Sequence, residues 1–223
     1  MYLEQKVVKS FLSALSKSER PNLVEKIFPE HLKLLSEYFN FLYRWNKKIN
    51  LTRVFSSPEV LCDEFLVAPA FYSSTIPIDK KTVLDIGSGN GIPAVFCSLM
   101  HPDKSFVLCE VDYKKAVFLQ ELKRSMGLPN ISVVNSDFKK LQTLDEMGFD
   151  VIMFKNVSKQ SAFLLKVGQL LAPGGRIVFQ TSLGDVDVLR KKNAAFNVVA
   201  SYNIPVTKKT CLVELSIVPR ETM

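Results

Sequence analysis

A glycine-rich turn between two apolar runs is the feature that most constrains the fold of this chain. The first run, residues 82–84, leads to Asp85, and the second, residues 105–109, leads to Glu110. Between them lie three glycines at alternate positions, Gly87, Gly89 and Gly91. Glycine allows positive φ and close approach of the backbone to a ligand, and an acid at the next strand tip can accept hydrogen bonds from ribose hydroxyls. The pattern predicts a doubly wound α/β sheet with a nucleoside-binding crevice at its strand ends.

The glycine spacing separates two classes of nucleotide-binding site. A dinucleotide fingerprint reads Gly-x-Gly-x-x-Gly and would need glycine at position 92, which is Ile92. Gly-x-Gly-x-Gly after Asp-Ile is instead typical of S-adenosylmethionine (SAM) methyltransferases. A glycine turn that binds no ligand is the simpler alternative. Two further segments favour the methyltransferase: an apolar run that leads to Asp137, and a Pro-Gly-Gly turn at residues 173–175 that precedes another strand.

Strands and helices alternate from residue 81 onward. Apolar runs predict strands at 82–86, 105–110, 131–135, 149–154, 175–181, 196–203 and 210–218. Helices are predicted at 91–101, 112–126, 158–171 and 184–193. The link between the last two strands is too short for a crossover helix, so these strands should form an antiparallel hairpin at the sheet edge. We predict a Rossmann-like class I methyltransferase fold, α/β, with a mostly parallel seven-stranded sheet and a terminal antiparallel hairpin.

The segment before residue 81 reads as helices. Apolar residues recur at helical spacing in residues 3–16 and 29–48. Ser57 is suited to cap a third helix. We therefore predict two parts, an N-terminal helical extension (1–80) and a SAM-binding methyltransferase domain (81–223).

Charge and cysteine content limit the partners and the location of the protein. The 223 residues include 29 Lys and Arg against 22 Asp and Glu, a net charge of +7. This excess favours a polyanion such as RNA over a plain solvated surface. We expect neither a membrane span nor a signal peptide. The four cysteines are scattered and lie apart from both histidines, so we expect no metal site and a cytoplasmic protein.

Segments on both sides of the glycine turn resemble one family. Residues 44–52 read Arg-Trp-Asn-Lys-Lys-Ile-Asn-Leu-Thr, and residues 83–93 read Val-Leu-Asp-Ile-Gly-Ser-Gly-Asn-Gly-Ile-Pro. With Lys-Lys-Ala-x-Phe-Leu at 114–119 and Gly-Leu-Pro-Asn-Ile at 127–131, these segments resemble the RsmG/GidB family. The resemblance implies a SAM-dependent methyltransferase that modifies guanine N7 in small-subunit ribosomal RNA. The implied partner is ribosomal RNA or the small ribosomal subunit, and we expect a monomer.

The substrate side departs from the family pattern. The family's Arg-His and Asp-Ser pairs are absent from residues 61–68, its arginine after the fourth strand is Lys155, and its Lys-Gly in the fifth strand is Gln180-Thr181. Two alternatives therefore stay open. One is a SAM-dependent methyltransferase for another RNA, a small molecule or a protein, and the other is a non-catalytic RNA-binding paralogue.

The motif positions predict the site residues. The cofactor-binding set is Asp85, Gly87, Ser88, Gly89, Gly91, Glu110, Val111, Asp137 and Phe138. In it, Asp85 is assigned to the methionine amine and Glu110 to the ribose. Asp137 is assigned to the adenine amino group, and Val111 and Phe138 to the adenine ring. Lys155 and Asn156 are the predicted catalytic residues and would orient the base. The predicted RNA contacts are Arg44, Lys47, Lys48 and Arg53. Simpler roles remain open: a loop acid for Asp137, a helix cap for Asn156 and solvated surface for the basic residues.

Overall fold

A seven-stranded sheet forms the centre of the protein. The computed structural model describes residues 5–143, 148–155, 161–192, 195–205 and 210–218. Its strands are β1 (Thr82–Ile86), β2 (Ser105–Glu110), β3 (Ile131–Asn135), β4 (Phe149–Phe154), β5 (Leu171–Ser182), β6 (Phe196–Asn203) and β7 (Thr210–Ile217). They follow the order β3-β2-β1-β4-β5-β7-β6. Strands β1 to β5 pair in parallel, and β7 is antiparallel to both β5 and β6. The predicted fold class is confirmed.

Helices precede the sheet and alternate with its strands. They are α1 (Gln5–Ser16), α2 (Pro29–Ile49), α3 (Pro58–Leu61), α4 (Ala68–Ser74), α5 (Ala94–Met100), α6 (Tyr113–Met126), α7 (Ser161–Gly168) and α8 (Leu183–Lys192). A π-helical turn, Cys62–Val67, joins α3 to α4. Short 3-10 helices lie at Pro21–Lys26, Val54–Ser56 and Phe138–Thr143. The Ser57 hydroxyl accepts a hydrogen bond from the Val60 amide, as expected for the predicted cap.

Two glycine-containing turns shift element boundaries from the predicted positions. Helix α5 starts at Ala94 rather than residue 91, because Gly91 has a φ of +87° that a right-handed helix does not allow. Strand β5 starts before the Pro-Gly-Gly segment rather than after it. Leu171 pairs with Phe149 and pairing resumes at Arg176, so the predicted turn is an interruption within the strand.

The N-terminal helices share one buried core with a face of the sheet. Phe11 of α1, Leu35 of α2 and Phe65 of the π-helical turn are fully buried in the same apolar cluster as Val151 of β4. Trp45 packs edge-on against Phe118 of α6 with ring centroids 5.7 Å apart. The chain that follows α2 lies near the carboxyl ends of β1 and β4, since residues 51–54 line the same cavity as Gly87 and Lys155. The division at residue 80 stays a prediction.

None of the helices in the described part of the chain combines the length and apolar character that crossing a membrane requires.

Candidate active site

The glycine loop between β1 and α5 lies over the carboxyl ends of β1 and β2. Gly87 N donates to the Cys109 carbonyl at 2.8 Å. Gly89 N donates to Glu110 Oε2 at 2.7 Å. Gly87 and Gly89 have φ values of +72° and +54°, where a side chain would be strained. The loop thus has the form that the glycine pattern predicts.

Glu110 holds the loop from the end of β2. The residue is 5% exposed, and its Oε1 accepts from Asp112 N at 2.8 Å while Oε2 accepts from Gly89 N. A carboxylate offers about four lone-pair sites, so two remain for other donors. Glu110 can therefore accept from a pair of ribose hydroxyls while it still holds the loop.

Asp85 is a buried acid whose side chain lacks a full set of partners. It is 1% exposed, and its Oδ2 has no hydrogen-bond partner among the described residues. Burial raises the pKa of Asp85 to about 7; Ser88 lowers it, Glu110 raises it further and Lys155 lowers it. An unpaired buried carboxylate is unfavourable, and a cationic ligand group would stabilise it. The ammonium at the methionine end of SAM is such a group, so these residues fit SAM.

Tyr38 of α2 braces the loop from the N-terminal helices. Its hydroxyl donates to the Asn90 carbonyl at 2.7 Å. A Cβ atom on Gly91 would lie 2.9 Å from that hydroxyl and 2.7 Å from Val95 Cγ2, so only glycine fits there. Burial raises the pKa of Tyr38 well above its ordinary value, which keeps the hydroxyl protonated as a donor. The predicted helical extension thus contacts the loop directly.

Residues 51–54 form a wall that faces the glycine loop. Asn46 holds this wall, since its Nδ2 donates to the Thr52 carbonyl at 3.0 Å and its Oδ1 accepts from Thr52 N at 2.8 Å. Asn50 ends α2 in the left-handed region with a φ of +48°. These contacts turn the chain back and place Thr52 and Arg53 opposite the loop. The Trp-Asn-Lys motif therefore has a structural role.

A cavity of about 470 Å³ lies between the loop and the wall. This volume is typical of small-molecule sites, which range from about 300 to 1,000 Å³. In the described part of the chain, its charged lining consists of three cations and one acid, Arg53, Lys115, Lys155 and Glu64. The lining therefore favours an anionic ligand over a neutral one.

Lys155 and Glu64 form an ion pair at this cavity. Lys155 directly follows β4, and Glu64 lies on the π-helical turn. Their side chains are 11% and 29% exposed, so both are partly withdrawn from water. Single π-helical turns occur frequently at functional sites. Asn156, the other predicted catalytic residue, lies outside the described residues.

The three residues predicted to hold the adenine are more loosely placed. Val111 is 72% exposed, so its side chain is free to pack on a ring. Asp137 Oδ1 accepts from Lys139 N at 3.0 Å, which caps the following 3-10 helix. The Phe138 ring lies 5.3 Å from that of Phe163. Their assignment to adenine stays a prediction.

The four predicted RNA contacts divide between two places. Arg53 lines the cavity. The other three lie on the last turns of α2 near aromatic rings of the same helix: Lys47 Nζ is 4.4 Å from the Tyr43 ring centroid and Lys48 Nζ is 5.7 Å from that of Trp45. Arg44 is exposed and lies near Phe41. All four are accessible, and their contact with RNA stays a prediction.

Sequence analysis did not predict a site role for Glu64, Thr52 or Tyr38. Glu64 lies in residues 61–68, where the family's Arg-His and Asp-Ser pairs are absent. That departure from the family pattern could have drawn attention to this segment. Thr52 belongs to the motif of residues 44–52, which indicates the family without indicating a role for each residue. Tyr38 fell within the apolar stripe of α2, although a buried tyrosine hydroxyl usually needs a partner.

The strand order, the glycine loop and the two acids at strand ends define a Rossmann-like SAM methyltransferase site. The sequence model of the GidB family, described as rRNA small subunit methyltransferase G, matches residues 31–213. The chain belongs to this family of SAM-dependent methyltransferases.

Individual relatives agree with this assignment, and a solved structure shares the fold. The chain is 29% identical over 175 residues to ribosomal RNA small subunit methyltransferase G of Nitrosococcus oceani, covering 78% of this chain and 79% of that protein. It is 32% identical over 149 residues to the protein of the same name from Pseudomonas putida, covering 67% of each. A SAM-dependent methyltransferase from Aquifex aeolicus superposes with a TM-score of 0.56 at 19% identity, covering 67% of this chain and 89% of that one. The last likeness concerns the fold alone.

Proposed function

We propose that this protein transfers the methyl group of SAM to N7 of a guanine in small-subunit ribosomal RNA, in the cytoplasm. The observation that carries the proposal is the cavity beside the glycine loop, whose lining includes Arg53, Lys115 and Lys155. The names of the relatives specify small-subunit ribosomal RNA, and the net charge of +7 suits a polyanion.

The chemistry demands alignment more than acid–base catalysis. When bound, SAM would supply a methyl group activated by its sulfonium, and the C–S bond would break as the bond from carbon to N7 forms. Guanine N7 attacks with a free lone pair and carries no proton, so no general base is required. The purine ring takes up the positive charge that the sulfonium loses. Holding the two reactants in line is the main contribution that such a site makes to the rate.

The residues of the chain divide this positioning among them. Asp85 would hold the methionine ammonium and Glu110 the ribose hydroxyls, because both acids lie at strand ends beside the loop. Tyr38 keeps the loop in place through Asn90. Lys155, at the cavity, would orient the base.

The test is methyl transfer from tritiated SAM to small ribosomal subunits that lack the modification. We expect label that RNase releases and protease does not, and nucleoside analysis that gives 7-methylguanosine. Addition of S-adenosylhomocysteine should suppress the incorporation. Label in protein or in a small molecule would favour another methyltransferase activity. Binding of SAM with no transfer to RNA would favour the non-catalytic paralogue.

A further inference from the structure

We infer that Glu64 and Lys155 together select guanine at the methyl-accepting position. Glu64 accepts hydrogen bonds from the N1–H and N2–H groups of the base, and Lys155 donates one to O6. The inference rests on the proposed function, because it names the edge of the base that the same site reads.

The contact between the two side chains puts a donor beside an acceptor. Lys155 and Glu64 form an ion pair, and both line the cavity that the glycine loop borders. An ammonium group can only donate hydrogen bonds, and an ionised carboxylate can only accept them. A base that enters the cavity therefore meets a fixed order of donor and acceptor.

Guanine presents the complementary order along one edge. Its O6 acceptor is next to its N1–H donor, with the N2 amine beyond. Adenine has the N6 amine donor in the place of O6 and an acceptor at N1, so it would set donor against donor and acceptor against acceptor. O6 also neighbours N7 on the guanine ring, as both face the major groove in a duplex. Lys155 bound to O6 would leave N7 free to receive the methyl group.

Packing of the neighbouring residue fixes the backbone that carries Glu64. The next residue, Phe65, is fully buried, with its ring 5.0 Å from Tyr38 and 5.9 Å from Phe39. A precise site requires side chains whose own rotamers are held by packing and by polar contacts, and the Glu64 side chain is held by its ion pair with Lys155. Tyr38 also bonds to the glycine loop, so one packed group positions both the cofactor loop and the acid that reads the base.

Partial burial makes a mismatch unfavourable. The two side chains are 11% and 29% exposed, and a buried charge that loses its partner is strongly destabilised. Guanine can replace the contacts that each charge gives up, whereas adenine cannot. A site built to hydrogen-bond its substrate rejects an analogue without those groups by a factor of up to about 10⁴–10⁵.

The first experiment compares variants in methyl transfer to small ribosomal subunits. Glu64→Ala should lower kcat/KM by about 100-fold or more, and Glu64→Gln, which keeps one acceptor oxygen, by about 10-fold. The affinity for S-adenosylhomocysteine, measured by calorimetry, should change by less than about twofold, which also shows that the variants fold. The matched control is Glu59→Ala, an exposed acid on α3, which should keep wild-type kinetics.

The second experiment measures binding of GMP and AMP to the protein saturated with S-adenosylhomocysteine. The wild type should prefer GMP by about 10-fold, equivalent to about 1.4 kcal/mol, and Glu64→Ala should lose this preference. The double variant Glu64→Lys, Lys155→Glu reverses the order of donor and acceptor and should prefer AMP.

The two experiments separate failure of the inference from failure of the proposed function. If wild type methylates ribosomal RNA and Glu64→Ala retains its kcat/KM, the function stands and the inference is overturned. If wild type transfers no methyl group to RNA, the proposed function fails. In that case a GMP preference that depends on Glu64 still supports the inference, and the lack of any such preference overturns it.

Discussion

The two sides of the cavity hold their shape by different means. The glycine loop, residues 87–91, takes its form mainly from its own backbone and from the neighbouring end of β2, where Glu110 accepts the Gly89 amide; Tyr38 braces it at Asn90. The opposite side, residues 46–64, depends on side chains that meet from separate segments, such as Asn46 with Thr52 and Glu64 with Lys155. The form of the loop side can therefore be predicted from a short sequence motif, whereas the contacts of the opposite side are seen only in the folded structure. Four substitutions test how far this contrast extends.

The largest expected effect is on the loop side, at the buried acid Asp85. Its pKa in the folded protein is raised to about 7 from an ordinary value of 3.8. Between about pH 4 and pH 7, the Asp85 side chain is protonated in the folded protein and ionised in the unfolded chain. The free energy of unfolding of the SAM-free protein should therefore fall as pH rises through this window, by up to about 4 kcal/mol.

Asp85→Asn should remove this part of the pH dependence. Urea unfolding of the wild type and the variant at pH 5 and pH 8 measures the difference. An equal loss of stability between pH 5 and pH 8 in the two proteins would contradict the raised pKa of Asp85. Added S-adenosylhomocysteine should stabilise the wild type more than the variant at pH 8.

The next largest effect is expected at Gly91. A Cβ there would lie 2.7 Å from Val95 Cγ2 and 2.9 Å from the Tyr38 hydroxyl, and φ is +87°. Gly91→Ala should lower the free energy of unfolding by about 3 kcal/mol, since overpacking adds to backbone strain. The matched control is Gly127→Ala, which has a φ of +61° but open space around the new methyl group; it should cost about 1 kcal/mol. Equal losses in chemical denaturation would mean that Tyr38 does not press on the loop.

Glu110 is expected to affect ligand binding more than stability. Glu110→Ala should weaken SAM binding by about 1–3 kcal/mol, as is usual when hydrogen bonds to a charged group are lost. Calorimetric titration with SAM checks this value. Glu110→Gln retains one acceptor oxygen, so its affinity for SAM should lie between those of the wild type and Glu110→Ala. Wild-type affinity in Glu110→Ala would sink the ribose assignment and leave the residue a purely structural contact to the loop.

The smallest effect is expected on the opposite side, at Asn46. Asn46→Ala removes two hydrogen bonds to Thr52 and should lower the free energy of unfolding by about 1–2 kcal/mol. Because the proposed function places the RNA substrate on this side, kcat/KM for methyl transfer should fall while SAM affinity stays unchanged. Asn40→Ala, on the same helix, has no side-chain hydrogen bond among the described contacts and serves as control. A loss of SAM affinity in Asn46→Ala would show that the two sides are coupled.

Strands and turns could be predicted because their signals are local. Apolar runs placed β1 to β4 and β6 at their observed bounds, and the acids Asp85 and Glu110 lie at the carboxyl ends of β1 and β2. Strand β5 was predicted too short, because a Pro-Gly-Gly segment usually ends a strand. Here Leu171 pairs with Phe149 before that segment, a contact that depends on the neighbouring strand.

The sequence by itself determined the sheet, the glycine loop and the family, because these depend on residue type and on spacing within short segments. The tertiary structure decided what faces the loop. Tyr38 bonds to Asn90 across 52 positions of the chain, and Glu64 meets Lys155 only because β4 and the π-helical turn end at the same cavity. No local pattern encodes such pairings. Each arises because the helices pack onto the sheet and the close-packed apolar side chains between them fix how far apart the paired residues lie.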